Sequence, residues 1–256
     1  MDPRWGLRPQ TPEALRLYSF RTTCGPADLA FTDRYGGVSA SPYDELNLSV
    51  SADDDDAAKA ENHRVLLADF APGDVLCDLY QVHGADVAVA AQQWPDRPHA
   101  DGIVATRTGV VLMVRAADCV PVLLVAADDA IIGAAHSGRP GLVAGVVPAT
   151  VSRMRELGAG RIEGWIGPHV CGRCYEVPDQ MRAEVASAVP ESHAETSWGT
   201  PSLDLGAGVR AQLEALDVVV HDVSRCTRES EDLYSYRRDG ARTGRLAGVV
   251  RLRERR

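Results

Sequence analysis

Long apolar runs are absent from this chain. No stretch of about 18 consecutive apolar residues occurs, which excludes a membrane-spanning helix. The opening residues, MDPRWGLRPQ, lack the charged start and apolar block of a signal peptide, so a cytoplasmic location is expected. The commonest signatures of nucleotide, esterase and metalloprotease sites are missing as well: there is no Walker loop, GxGxxG, GxSxG or HExxH. Only seven histidines occur and none forms an H-x-H pair, which argues against multicopper chemistry. Six cysteines scattered over 256 residues do not form a secreted disulfide framework, so reduced thiols are expected. Positive charge is in deficit, with a formal net charge of -9, so no nucleic-acid partner is expected. The locally basic end, residues 251–256, reads as a solvated terminus. Aromatics make up 5%, so the core should be aliphatic.

What is present suits one globular domain. Apolar content of 45% and charged content of 25% are ordinary, and the chain is long enough to bury a sizeable core. Residues 1–19 carry no pattern and read as a variable N-terminal segment. The acidic run 53–56 starts a helix, since carboxylates favour the first turn, and AAKAENHRVLLADF continues it to Pro72–Gly73. Strands are expected on either side of Gln81–His83–Gly84, near 102–105, at 110–114, and in the runs 120–125 and 130–135. Pro140–Gly141 should then lead into a single helix, LVAGVVPATVSRMRELG, ending at Gly158. A strand in IEGWIGPHV, helices in PDQMRAEVASAV and LGAGVRAQLEAL, a strand in DVVVHDVS and a last short strand complete the chain. Strands and helices do not alternate regularly. The expected class is α+β, a single compact domain over 1–256 with mixed β-sheets flanked by helices.

Chemistry concentrates around RAADCVPVLLVAADDAIIGAAHSGRPG, residues 115–141. Two apolar runs flank the turn-like Asp128–Asp129, with Cys119 just before the first and His136 just after the second. If the runs pair as a hairpin, the thiol and the imidazole reach the same end, as either a metal site or a nucleophile–base pair requires. His83 in QVHGADV is a third candidate, and a Cys with two His would leave zinc's fourth position open. PHVCGRCYEV contains a C-x-x-C at Cys171 and Cys174, with His169 beside it. No second C-x-x-C completes a tetrahedral cysteine site, so these are taken as two unpaired thiols in a turn. SYRRDG, residues 235–240, places two arginines beside an Asp, suited either to an anion or to a salt-bridged turn.

Eight segments in order, TDRYGGVSASPYDELNLS, AENHRVL, QVHGADV, ADGIVAT, AADCVPVLL, AAHSGRPG, IGPHV with YEV, and CTRESEDLYSYRRDGARTGRLA, resemble the laccase-domain (YfiH) proteins. These are described as multicopper-polyphenol-oxidase-like and also named purine nucleoside phosphorylases and peptidoglycan editing factors. The resemblance implies a YfiH-like α/β/β/α arrangement of mixed sheets. It implies a metal site on His83, Cys119 and His136, taking Zn2+ with Cu2+ as an alternative, and a pocket for purine nucleoside and phosphate. Phosphorolysis of adenosine, inosine, guanosine and methylthioadenosine is implied, with adenosine deamination beside it. Arg34, Arg139, Arg237 and Arg238 are the expected substrate-binding cations. Gln81 and Asp118, next to the ligands, are expected to orient them and to face substrate. The chain departs from the family at SGRPG, where the family reads AGWRG, and at His63, where it has Arg. Three other readings stand beside the phosphorylase: a copper-dependent polyphenol oxidase, a Cys/His hydrolase acting on peptidoglycan precursors, and a non-enzymatic, metal-stabilised partner protein.

Overall fold

The apolar runs around Cys119 and His136 are strands covered on both faces, which is why they show no polar–apolar alternation in the sequence. The computed structural model describes residues 16–51, 53–92, 94 and 96–254, so the expected variable segment 1–19 lies largely outside the described residues. In chain order the first elements are β1 (Tyr18–Cys24), β2 (Ala27–Thr32), α1 (Asp56–Phe70), β3 (Val75–Asp78), β4 (Val87–Val89) and β5 (Gly102–Ala105). Next come β6 (Val110–Ala116), β7 (Val120–Ala126), β8 (Ile131–Ser137), α2 (Arg139–Ala144), α3 (Val146–Glu156) and β9 (Glu163–Ile166). The rest are α4 (Asp179–Ala188), β10 (His193–Glu195), β11 (Pro201–Leu203), α5 (Leu205–Glu214), β12 (Val219–Asp222), α6 (Tyr236–Asp239) and β13 (Leu246–Leu252).

Two large mixed sheets result, one ordered β1-β2-β13-β6-β3 and the other β12-β9-β7-β8-β5-β4. They face each other, and alternate residues on each strand decide the layers. Leu29, Phe31, Leu112 and Val250 of the first sheet pack with Ile103, Leu123, Val125 and Ile132 of the second. The opposite face of the second sheet, through Val122 and Leu124, meets α2, α3, α4 and α5. The opposite face of the first, through Val111, Met113 and Val249, meets Leu66 and Phe70 of α1. The α+β class and the α/β/β/α layering follow directly. No helix among the described residues is long and apolar enough to cross a membrane.

Three expectations need correction. The helix read across 142–158 is two: α2 begins at Arg139 and stops at Gly145, whose φ of 81° breaks the ladder, and α3 follows at once. Pro140 in the first turn of α2 loses no intrahelical bond there, so SGRPG starts a helix rather than leading into one. Residues 18–32, in which no strand was read, form the β1–β2 hairpin. The basic end is not wholly solvated either: Arg251 and Arg253 bond the Asp28 carboxylate, and Arg251 also reaches Asp74.

Candidate functional site: a thiolate–imidazole cluster under a cavity

β7 and β8 pair antiparallel with Pro121 opposite His136, so Cys119 and His136 do lie at one end of the hairpin. Cys119 occupies the short link by which the chain passes from β6 in one sheet to β7 in the other. Asp118 makes that turn with φ 90°, its carboxylate accepting from Thr227 Oγ1 at 2.6 Å and from the Arg237 backbone N–H at 2.6 Å. His83 arrives from the β3–β4 connection at φ 62°. Ligand atoms of His83, Cys119 and His136 all lie within 4.8 Å of one another, and His83 Nε2 is 3.7 Å from Cys119 Sγ. The two imidazoles meet edge to face, with ring centroids 4.9 Å apart. Gly138 makes room for them: a Cβ there would stand 2.5 Å from His83 Cδ2 and 3.1 Å from Cys119 Sγ.

Asp101, fully buried, holds the cluster together. Its Oδ1 accepts a hydrogen bond from Nδ1 of His136 at 2.8 Å, which turns Nε2 towards the cluster. Its Oδ2 accepts from the backbone N–H groups of Val82 (3.1 Å) and Gly84 (2.7 Å), which bracket His83. Burial opposes ionisation of this carboxyl, yet those bonds keep it below the usual carboxylate range. Burial alone would raise the Cys119 thiol, but the charge of His136 and the bonds from His136 and His83 bring it down to about 6. Burial likewise opposes the charged form of His136, and the Cys119 thiolate and Asp101 lift it to about 9. Thiol and imidazole thus each favour the charged form of the other.

The cluster lies at a cavity of about 760 Å³, within the range of small-molecule sites. Tyr80, Tyr175 and Tyr236 supply aromatic wall, and Arg115, Arg237 and Arg245 supply positive charge. Tyr236 is half exposed, and Arg237 lies 4.4 Å over the Tyr175 ring. Arg115 is buried. Its Nε donates to Leu48 O at 2.5 Å, its Nη2 pairs with the Asp78 carboxylate, and its Nη1 has no hydrogen-bond partner among the described residues. His63 accepts from the same guanidinium at 3.2 Å, so the departure at 63 stands behind the cavity wall.

Of the expected substrate-binding residues, Gln81, Asp118 and Arg237 line this cavity, whereas Arg34, Arg139 and Arg238 do not. Arg34 donates to the carbonyls of Asp44 and Glu231, and Arg238 clamps those of Thr227, Ser230 and Leu233. Among the described residues Gln81 hydrogen-bonds none of the three donors. Its amide closes a pair of bonds with the Arg115 backbone, at 2.8 Å each. Asp101 is the carboxylate that hydrogen-bonds His136 and the backbone on both sides of His83. Asp101, Arg115, Arg245 and the three tyrosines were not singled out from sequence, although Asp101 lies in ADGIVAT, Tyr175 beside Glu176 in YEV, and Tyr236 and Arg245 in the last of the eight segments.

The family model described as multi-copper polyphenol oxidoreductase laccase matches residues 28–253. A Streptomyces coelicolor protein named purine nucleoside phosphorylase is 54% identical over 241 residues, covering 91% of this chain and 98% of its own. A Corynebacterium glutamicum protein of the same name is 43% identical, covering 89% and 95%. Among solved structures, YlmD from Geobacillus stearothermophilus superposes with a TM-score of 0.81 at 31% identity, covering 90% of this chain and 93% of its own. A Neisseria meningitidis protein gives a TM-score of 0.82 at 29% identity, covering 92% and 99%.

Proposed function

The chain belongs to the multi-copper polyphenol oxidoreductase laccase family, and from that membership we propose that it is a zinc-dependent purine nucleoside phosphorylase with adenosine deaminase activity. Its relatives' names support the first activity. The observation that carries the reading is the cluster of His83, Cys119 and His136 at a cavity walled by tyrosines and arginines.

The donor set fits zinc. Zn–S near 2.3 Å and Zn–N near 2.05 Å at a tetrahedral angle put N and S about 3.6 Å apart, against the 3.7 Å of His83 Nε2 and Cys119 Sγ. The carboxylate on the far nitrogen of His136 is the usual support of a ligating imidazole. When bound, such an ion would supply a Lewis acid with its fourth position open.

The chain's own residues account for the rest. Phosphorolysis joins a phosphate oxygen to C1′ of the nucleoside and breaks the bond from C1′ to the purine nitrogen, the purine leaving with a proton. Arg237 spends one N–H on Glu176 O, and Arg245 spends its Nη1 on the carbonyls of Thr243 and Gly244. Each guanidinium carries five donors, so both keep N–H groups for phosphate. Tyr236 and Tyr80 offer faces for the purine. Adenosine, inosine, guanosine and methylthioadenosine share the purine and the C1′ bond that this arrangement addresses. In deamination, water would instead add at C6 and ammonia leave. A cytoplasmic location belongs to the same reading, since nucleosides and phosphate meet there.

Purified protein incubated with inosine and phosphate should release hypoxanthine. No hypoxanthine above a Cys119→Ala control would overturn the proposal.

A further inference from the structure

The C-x-x-C at Cys171 and Cys174 does not stand alone in the fold. Cys226 and Glu229, some fifty residues later, lie against it, and the ligand atoms of all four are within 4.8 Å of one another. We propose that Cys171, Cys174, Cys226 and Glu229 form a second, closed metal site that takes one zinc ion and ties together two loops behind the cavity wall.

The two pairs are built alike. CGRC and CTRE each place a ligand at the first and fourth positions of a turn closed from the fifth. Tyr175 N–H bonds Cys171 O at 3.1 Å, and Ser230 N–H bonds Cys226 O at 3.1 Å. The loops are zipped side by side: His169 N–H donates to Arg225 O at 3.2 Å, and Thr227 N–H donates to His169 O at 3.0 Å. The Cys171 backbone N–H points at Cys226 Sγ at 3.5 Å, which fixes that sulfur between the two loops. All three sulfurs are free thiols.

Tetrahedral zinc with Zn–S of about 2.3 Å separates sulfurs by about 3.8 Å, so closing the present spacing needs a shift of no more than about 1 Å. Three thiolates favour zinc over magnesium or calcium, and the carboxylate completes four ligands with no open position, the form of a structural site. The surplus negative charge is met by two guanidiniums. Arg173 lies 4.0 Å from Glu229, and Arg228 donates to Cys174 O at 3.3 Å.

The position gives the ion its role. Tyr175, next to Cys174, lines the cavity, and Thr227, next to Cys226, holds Asp118 beside Cys119. An ion fixing the two turns fixes both neighbours. The site shares no ligand with the His83–Cys119–His136 cluster and stands whether or not that cluster is catalytic.

The test is metal stoichiometry by elemental analysis of the full chain, equilibrated with zinc and freed of excess. Two zinc ions per chain are expected, with one retained by Cys119→Ala and one by Cys226→Ser. No ion in Cys119→Ala, or a count that Cys226→Ser leaves unchanged, would overturn the site. Should Cys226→Ser fail to fold, two measurements without it decide. Cobalt(II) added to Cys119→Ala should give a strong near-ultraviolet thiolate-to-metal band, and its absence counts against the site. In the wild type, zinc should protect Cys171, Cys174 and Cys226 from maleimide until a chelator is added. Equal labelling with and without zinc, or an intact mass lower by two hydrogens from a disulfide among the three, would also overturn it.

Discussion

Asp101 binds His136 through one oxygen, at 2.8 Å from Nδ1, and through the other grips the backbone on both sides of His83. One buried carboxylate thus orients two of the three donors of the cluster. Replacing it by Asn keeps the shape but removes the charge, and an amide cannot accept on both sides. Asp101→Asn should weaken zinc binding by roughly 10–100-fold, read by titration against a competing chelator. Unchanged affinity would show that the carboxylate is not orienting the histidines.

Gly138 stands where any Cβ would strike His83 and crowd Cys119. His83 is exposed and can swing away, so Gly138→Ala should disturb the site more than the fold. The expected outcome is a large loss of zinc affinity with a melting temperature within a few degrees of wild type. Retained zinc affinity would mean that the donors tolerate displacement.

The arginines of SYRRDG should separate by role. Arg237 faces the cavity, so Arg237→Gln should raise the KM for phosphate about tenfold or more with little change in stability. Arg238 instead holds three loop carbonyls, so Arg238→Gln should lower unfolding free energy by about 1–3 kcal/mol. Phosphate-saturation kinetics and urea titration check the pair, and the opposite pattern would reverse the assignment.

His63 gives a pH dependence. Burial, then the charge of Arg115, pulls its imidazole down to about 4 in the folded chain. Unfolded, it titrates near 6.5, so below that pH the unfolded state takes the proton first. Stability is therefore full above about pH 6.5 and falls as pH drops towards about 4, by on the order of 3 kcal/mol. His63→Gln should flatten that part of the stability–pH curve. Identical slopes for the two proteins between pH 6.5 and 4.5 would exclude the effect.

A core position calibrates the scale. Leu124 is fully buried between its sheet and the helices, so Leu124→Ala should cost about 2–5 kcal/mol. Val143, 46% exposed on α2, should tolerate Ala within about 0.5 kcal/mol. Urea unfolding of both variants tests whether the layered core is packed as described.

Much of the local structure was legible in the residues. The acidic start of α1, with Asp55 as its cap, follows from side-chain bonding to free N–H groups at a helix end. The β7–β8 pair follows from two apolar runs around Asp128–Asp129, and it alone brings Cys119 and His136 to one end. The break at Gly145 was not legible, because the same glycine is tolerated within a helix unless packing requires two helix directions. The β1–β2 hairpin was missed because half of it faces solvent and half a buried sheet, which blurs the period.

By itself the sequence determined which residue types could ligate and which short elements carry them, because turn chemistry and periodicity act within a few residues. Only the tertiary structure decided which partners meet. Asp101 reaches His136 across 35 positions through the pairing of β5 with β8, and Cys226 reaches Cys171 across 55 through the zipped loops. It also decided which arginines face the cavity, turning Arg237 towards it and spending Arg34 and Arg238 on loop carbonyls. Sheet register and buried hydrogen bonding set those meetings, and both depend on residues far apart in the chain.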